Sequence, residues 1–387
     1  MPHRFHARRR FASIRRRGAT LAASALAATA LLAAGCAATG GDEGVKANPR
    51  YGLLMAPADA NRLGYSPTWA TDLALRGRQR ITHAVVLGDL LVTTEAPRPI
   101  ATAIELDTGE VRWTRALGEG IAPLARPMRR EDHVLFLVDA THLDRYDADT
   151  GELVDRQYLN HVVSSQPARS DTQVVYGTIK GRGVSHSLAS GFASWEYSLV
   201  TEIAATPALD GDGVFLADQR GTYAMLVLST GDLLWRGRAF DAVTADPAIA
   251  DAGVLLPCTD GTLYVLDQTT GRDQWVHRTT TPLTQPASQF GPNVYLPVPG
   301  RATLALDALT GEELWRAPAG TMPLRLDGDG DRLLAVRGDT LVQLDPADGR
   351  EIDAARAVDP VDVVEGPAGS LLLVTDRGRV LRLNPTP

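Results

Sequence analysis

Leu306-Asp307-Ala308-Leu309-Thr310-Gly311-Glu312-Glu313-Leu314-Trp315 is one copy of a unit that recurs along most of the chain. Each clear copy has a Thr-Gly or Ser-Gly pair, with a tryptophan four residues after the glycine. The five clear copies carry Gly109 with Trp113, Gly191 with Trp195, Gly231 with Trp235, Gly271 with Trp275, and Gly311 with Trp315. Two degenerate copies keep Gly151 and Gly349 but have Asp155 and Asp353 in place of the tryptophan.

The spacing of these glycines predicts the kind of fold. The seven turn glycines, from Gly109 to Gly349, are 42, 40, 40, 40, 40 and 38 residues apart. A fixed period of this size is typical of a solenoid or a propeller. Within a period, short alternating runs such as 214–217 and 223–228 are separated by Gly- and Asp-rich turns, which predicts strands rather than helices. We therefore predict an all-β propeller of four-stranded antiparallel blades.

The two ends of the repeat predict how the ring closes. The run 66–73, which contains Trp69, resembles the last strand of a blade. The three strands that should precede it in such a blade are missing from the sequence before it. Suitable partners occur near the other end, in the runs 371–374 and 379–383. We therefore predict that an N-terminal strand joins the C-terminal blade, which would leave no open edge in the ring. The result is an eight-bladed propeller over residues 65–387.

The tryptophans of the repeat have a structural interpretation. An indole buries a large apolar face, and one indole per repeat would hold neighbouring blades together. We interpret as blade-packing residues, rather than as a ligand cage, Trp69, Trp113, Trp195, Trp235, Trp275 and Trp315.

The first 35 residues predict a lipoprotein signal peptide. They hold seven arginines and no acidic residue, and an apolar run follows the arginines. The end of this run, Leu32 to Cys36, resembles the lipobox of bacterial lipoproteins, although its leucine lies one position earlier than usual. The resemblance implies cleavage between Gly35 and Cys36 and lipidation of Cys36. Arg8 and Arg9 also resemble a twin-arginine export signal.

Residues 36–64 predict the lipidated cysteine followed by a flexible tether. The residues after Cys36 are small and polar and lack periodicity. Within this segment, residues 51–63 fit either a short helix or an irregular lead-in to the first strand.

The charge balance excludes some classes of partner. The 387-residue chain has a formal net charge of −7, with 39 basic and 46 acidic residues. Removal of the seven signal-peptide arginines would leave 32 basic residues against the same 46 acidic ones. An acidic protein lacks the basic face that phosphate backbones require, so nucleic acid is not an expected partner. The acyl anchor, rather than surface charge, would hold the protein to a membrane.

The repeat resembles a known family. The pattern Leu-Asp-x-x-Thr-Gly-x-x-x-Trp, as in Leu306 to Trp315, is similar to the tryptophan-docking repeat of quinoprotein-type (PQQ-like) β-propellers. An eight-bladed propeller of this type behind a lipobox resembles the BamB family of lipoproteins, which are subunits of the outer-membrane β-barrel assembly machinery. The resemblance implies a role in docking other proteins of the cell envelope.

The sequence lacks the residues of the catalytic quinoproteins. The resemblance to their fold would imply PQQ beside adjacent cysteines and a calcium ion, but Cys36 and Cys258 are the only cysteines and are far apart. Asp327–Asp331 suggests a calcium loop, yet Arg332 and Gly338 stand where such a loop needs glycine and glutamate. We interpret it as a hairpin turn, and we predict neither a cofactor nor a metal.

The remaining reactive residues also favour structural roles. The six histidines of the predicted propeller lack metal-ligand spacing, and we interpret them as surface or structural residues; they are His83, His133, His142, His161, His186 and His277. Cys258 follows an apolar run at a strand end and is interpreted as a buried or half-buried thiol.

We therefore expect a non-catalytic envelope lipoprotein that serves as a monomeric docking scaffold in outer-membrane protein assembly. The expected location is the periplasmic face of the outer membrane, with the outer face of the cytoplasmic membrane as an alternative. Two other functions stay open, namely a propeller that binds PQQ or another small molecule, and an envelope sensor or structural module.

Overall fold

The computed structural model describes residues 53–118, 125–326, 332–359 and 362–386. These residues form eight four-stranded antiparallel sheets, which confirms the predicted eight-bladed propeller. The predicted signal peptide 1–35, with Arg8, Arg9 and Gly35, lies outside the described residues. Cys36, the tether up to residue 52 and the turn Asp327–Asp331 also lie outside them.

The chain begins with helix α1 and then enters the strands of the propeller. Helix α1 spans Pro57–Arg62 and strand β1 spans Tyr65–Asp72. Blade 1 consists of β2 (Arg80–Leu87), β3 (Leu90–Ala96), β4 (Ile100–Glu105) and β5 (Val111–Ala116). Blade 2 consists of β6 (Met128–Arg130), β7 (His133–Val138), β8 (His142–Asp147) and β9 (Leu153–Tyr158). Blade 3 consists of β10 (Ala168–Arg169), β11 (Gln173–Gly177), β12 (Arg182–Ser187) and β13 (Ala193–Ser198).

The next three blades follow the same plan. Blade 4 consists of β14 (Ala208–Asp210), β15 (Gly213–Ala217), β16 (Thr222–Val227) and β17 (Leu233–Arg238). Blade 5 consists of β18 (Ala248–Ala250), β19 (Gly253–Pro257), β20 (Thr262–Leu266) and β21 (Asp273–Arg278). Blade 6 consists of β22 (Ser288–Phe290), β23 (Asn293–Val298), β24 (Ala302–Asp307) and β25 (Glu313–Pro318).

The last two blades complete the ring. Blade 7 consists of β26 (Thr321–Leu326), β27 (Leu333–Arg337), β28 (Thr340–Leu344) and β29 (Glu351–Arg356). Blade 8 consists of β30 (Asp362–Glu365), β31 (Leu371–Val374) and β32 (Arg379–Pro385), and β1 is its fourth strand. A short 3-10 helix, Pro367–Gly369, lies between β30 and β31.

The first strand of each blade is the innermost. The first strands of adjacent blades contact one another from β10 to β26, and β30 contacts β2. Pro127, Pro167, Pro207 and Pro247 each lie directly before one of these strands. A proline has no N–H to donate to a ladder, so it fits the position just before a strand.

The ring closes by pairing between the two ends of the chain, as predicted. Strand β1 runs antiparallel to β32, with Tyr65 opposite Pro385 and Asp72 opposite Arg379. Strand β1 thereby takes the outer position of blade 8, next to blade 1. A blade left with three strands would expose an unpaired edge, which invites pairing with other chains.

Residues 53–64 differ from the sequence prediction, which placed them in a flexible tether. Leu54, Met55 and Leu63 are almost completely buried and pack with residues of blades 7 and 8. The Leu54 carbonyl accepts a hydrogen bond from Val358 N, and the Leu63 carbonyl accepts one from Gln343 Nε2. The tether prediction is therefore wrong for these residues, because their apolar side chains fill the interface between the two blades.

The loops of the propeller lie on two opposite faces. We call the connection face the side that carries the links between blades and the turns between second and third strands. The two loop types bond to each other there, as in Leu199 N to Gly181 O at 2.8 Å and Thr259 N to Ala242 O at 3.0 Å. The opposite side, which carries the Thr-Gly turns, is called the repeat-turn face.

Candidate functional site

The repeat tryptophans lie in the fourth strand of their blades and reach the next blade around the ring. Each indole nitrogen donates to a backbone carbonyl there, at 2.6 to 3.0 Å. The pairs are Trp69 with Leu106, Trp113 with Ala148, Trp195 with Leu228, Trp235 with Gln268, Trp275 with Ala308, and Trp315 with Pro346. Each indole thus links two blades, because its nitrogen forms one hydrogen bond across the interface and its ring face packs on the next blade.

Each of these indoles covers a turn glycine of the next blade. A Cβ atom at Gly271 would lie 2.4 Å from the ring of Trp235, and at Gly311 it would lie 2.4 Å from Trp275. The same contact joins Gly109 to Trp69, Gly151 to Trp113, Gly231 to Trp195 and Gly349 to Trp315. These glycines also have positive φ angles, so both space and backbone conformation disfavour any side chain.

Two interfaces lack the tryptophan. Between blades 2 and 3, Gln157 lies near Gly191, and Arg130 donates to the Leu188 carbonyl at 3.1 Å. Leu188 occupies the position of the carbonyls that accept an indole elsewhere. Between blades 7 and 8, the packed segment 53–64 fills the interface, and Arg62 donates to the Ala354 carbonyl at 2.8 Å.

In several repeats, an aspartate four residues before the turn glycine organises the turn. Oδ1 of Asp267 accepts hydrogen bonds from Thr270 N and Thr270 Oγ1, both at 2.7 Å. Asp147 and Asp307 make equivalent bonds to their turn threonines, Thr150 and Thr310. These bonds favour the ionised carboxylate and hold the pKa of all three aspartates below the usual value.

A cavity of about 430 Å³, lined by both polar and apolar side chains, lies between blade 1 and blade 8. Its lining includes Thr82, His83, Asp359, Asp362, Asp376 and Arg377. Burial, together with the charge of Arg126, lowers the pKa of His83. Asp359 pairs with Arg379 at 3.0 Å, and Asp376 pairs with Arg80 at 3.3 Å. The lining therefore suits hydrogen bonding to a small polar molecule rather than a strongly charged one.

Neither metal-binding nor nucleophilic chemistry is assembled in the part of the chain that the structure describes. No group of three or more histidine, cysteine or acidic side chains is placed to hold a metal ion there. Cys258 is fully buried, and burial raises its pKa to about 11, so the unreactive thiol form dominates near neutral pH. His186 is buried as well, with Nε2 2.8 Å from Gln157 Oε1.

Four exposed apolar side chains lie in loops of the connection face between blade 2 and blade 5. They are Val162, Ile179, Val200 and Phe240, which are 46%, 50%, 61% and 91% exposed, and we call this set the apolar arc. Val162, Val200 and Phe240 lie in successive links between blades, and Ile179 lies in the turn between β11 and β12. Large apolar side chains grouped on a surface are typical of protein interaction sites.

The loops of the apolar arc are held in place by hydrogen bonds. Asp218 is completely buried, and its Oδ2 accepts from Val200 N and Thr201 N, both at 2.9 Å. Its Oδ1 accepts from Arg220 N at 2.9 Å and Thr222 N at 2.8 Å. Ile179 N donates to the Val162 carbonyl at 3.3 Å. The arc is therefore presented by ordered backbone rather than by loose loops.

Sequence analysis did not identify the apolar arc. A signal was available in the repeat, because Asn160 and Thr280 occupy the positions that Val200 and Phe240 hold in their own repeats. Likewise, Ile179 stands where later repeats have Gln219 and Thr259. An apolar residue at a position that is polar in other copies indicates a role outside the core.

The similarity of the chain to known proteins indicates its family. The profile of the family described as outer membrane protein assembly factor BamB matches residues 66–206 and 198–384. No curated protein matches the chain. In the described residues, no helix has the length and apolar character to cross a bilayer.

Several solved structures share the fold. BamB from Moraxella catarrhalis has a TM-score of 0.66 at 18% identity, covering 83% of this chain and 99% of that one. The computationally designed Ika8 protein has a TM-score of 0.65 at 16% identity, covering 80% and 97%. Quinohemoprotein alcohol dehydrogenase from Comamonas testosteroni also has a TM-score of 0.65, at 13% identity, covering 85% and 78%. The profile spans nearly the whole propeller and all three structures share its architecture, so this chain belongs to the BamB family of PQQ-like β-propellers.

Proposed function

We propose that this protein is a non-catalytic, lipid-anchored scaffold of the cell envelope that docks a partner protein in outer-membrane protein assembly. The observation that carries this proposal is the apolar arc on the connection face. Membership of the BamB family supports the same role. Cys36 would be the lipid anchor, and the anchored protein would lie at the periplasmic face of the outer membrane.

The energetics of the arc favour a protein partner. Burying a large apolar side chain is worth roughly 1.5–3 kcal/mol, and Phe240 is almost fully exposed in the free protein. Aromatic side chains are also enriched among the residues that dominate binding energy at interfaces. Because Asp218 and neighbouring hydrogen bonds already order the loops, association would lose little conformational freedom. We expect the partner to present a complementary apolar surface.

The docking role is tested by replacing arc residues with a charge. The double variant Phe240→Asp with Val200→Asp should lose most of its partner, because docking would then bury two unpaired carboxylates. The matched control is Leu309→Asp, since Leu309 is 87% exposed and lies in a Thr-Gly turn on the opposite face. Each protein is extracted from native membranes in mild detergent and cross-linked, and its partners are identified by mass spectrometry.

The outcomes separate the candidate functions. Recovery of an outer-membrane barrel with the native protein and the control, and its loss from the double variant, is the expected result. Equal recovery with all three proteins would exclude the arc as the docking site. Recovery of the protein alone with a bound quinone would instead favour the second candidate, a small-molecule binder, which the cavity around His83 supports. Recovery of neither would favour a sensor or structural module.

A further inference from the structure

We propose that a cleft between blades 5 and 6 is a binding site for a phosphate group. The cleft has a volume of about 270 Å³ and opens beside the link between the two blades. Its polar lining includes Arg278, Thr280, Thr281, Arg301 and Arg316, and we call it the arginine cleft. This site is separate from the apolar arc, so it goes beyond the docking role proposed above.

The cleft arises from differences between neighbouring repeats. Leu304 in β24 lies opposite Arg316, and the equivalent pair in blade 5 is Tyr264 opposite Val276. The Tyr264 ring fills its place, and its hydroxyl donates to Asp260 Oδ2 at 2.7 Å. The shorter Leu304 leaves space where tyrosine would lie, while Arg316 adds a positive charge. These two changes together produce an open cleft lined by three arginines and one carboxylate, that of Glu313.

Two of the cleft arginines have no counter-ion. Arg316 donates to Glu313 Oε1 through Nε at 2.8 Å and through a terminal nitrogen at 2.6 Å. By contrast, the side chains of Arg278 and Arg301 make no hydrogen bond or ion pair with any other residue that the structure describes, and both residues are exposed. Two guanidinium groups without a carboxylate partner therefore line one cleft. Their charge is available to an anion.

The donors of the arginine cleft suit phosphate. A guanidinium group presents several N–H donors in a planar fork, which matches two oxygens of a phosphate group. The hydroxyls of Thr280 and Thr281 supply further donors at the rim, whereas Thr279 Oγ1 already bonds to the carbonyls of Gly261 and Thr281. A tetrahedral phosphate can accept from all of these directions at once. The phosphate could be free in solution or belong to a lipid headgroup.

The experiment uses the chain from residue 37 onward, without the predicted signal peptide and Cys36, so that neither the apolar signal segment nor an acyl chain contributes to membrane binding. Inorganic phosphate is titrated by calorimetry at constant ionic strength, because exposed charges are screened by salt. In a second arm, flotation is measured with vesicles of phosphatidylethanolamine, with and without phosphatidylglycerol. The test variant is Arg278→Gln with Arg301→Gln. The control is Arg272→Gln, an exposed arginine in a Thr-Gly turn on the opposite face.

We expect the double variant to weaken phosphate binding by about tenfold or more, because it removes two positive charges and their N–H donors from the cleft. The control should bind as the parent does. Loss of inorganic phosphate binding alone would identify free phosphate, and loss of flotation with phosphatidylglycerol would identify a lipid headgroup. Absence of binding by the parent in both arms, or equal binding by parent and double variant, would overturn the proposal.

Discussion

Each repeat tryptophan acts across a boundary between two blades. The indole of Trp235 is 9% exposed, its Nε1 donates to the Gln268 carbonyl at 2.8 Å, and its ring lies on Gly271. The packing is too close for a side chain on the glycine, so tryptophan and glycine form a matched pair. The pair consists of the tryptophan of one repeat and the glycine of the next, which places its energy at the interface.

Trp235→Ala should lower the free energy of unfolding by about 3–5 kcal/mol, because it leaves a cavity between blades 4 and 5. Trp235→Phe should cost less, since it keeps much of the ring contact and loses the hydrogen bond. The measurement is urea unfolding followed by fluorescence of the other tryptophans. Leu309→Ala, at an exposed position, serves as the control. An unchanged unfolding midpoint in Trp235→Ala would show that the indole does not hold the blades together.

At the scale of elements, the segment 53–64 packs at the interface where blade 7 lacks the repeat tryptophan. Blade 7 has Asp353 in place of the tryptophan, and Leu54, Met55 and Leu63 fill the interface that an indole would otherwise cover. Arg62 also lies 3.6 Å from Asp353, so the substituted residue has a partner in the segment. The lead-in to the propeller is thereby part of its core.

Met55→Ala tests this role of the segment. Met55 is completely buried, so its truncation should lower the free energy of unfolding by about 2–5 kcal/mol. Asn61→Ala, at an exposed position of helix α1, should change it little. The measurement is chemical denaturation together with limited proteolysis. If residues 53–64 were a flexible tether, the two variants would unfold at the same denaturant concentration as the parent.

At the scale of the whole molecule, several titratable groups have a lower pKa in the folded protein than in the unfolded chain. Hydrogen bonds lower the pKa of the turn aspartates Asp147, Asp267 and Asp307 below the ordinary 3.8, and burial lowers the pKa of His83 and His186 below 6.5. For each of these groups, the unfolded chain binds a proton at a higher pH than the folded one. Their contribution to stability is therefore complete above the unfolded pKa and is lost as the pH falls.

Acidification should therefore destabilise the protein in two steps. The urea midpoint should decline below about pH 6.5, where unfolded histidines gain protons, and decline further below about pH 4. Burial raises the pKa of Glu95 above 4.5, which acts in the opposite sense and offsets part of the second step. His186→Gln should reduce the first step and Asp267→Asn the second. A midpoint that rises on acidification would contradict this assignment of signs.

The recurring features of this protein were predictable from sequence alone. The glycine spacing, the alternating runs and the stray strand around Trp69 predicted eight blades and the closure of the ring, which the structure confirms. These signals are local, because strand periodicity and turn chemistry depend on residues close together in the chain.

Only the tertiary structure shows which residues that differ from the repeat pattern lie close together. The packing of 53–64 against blade 8 and the uncompensated charges of the arginine cleft depend on residues that are distant in sequence. The apolar arc likewise draws on three links and one turn that lie side by side only in the folded ring. The repeat itself determines the architecture, whereas the functional surfaces arise where single residues depart from it and meet across blades.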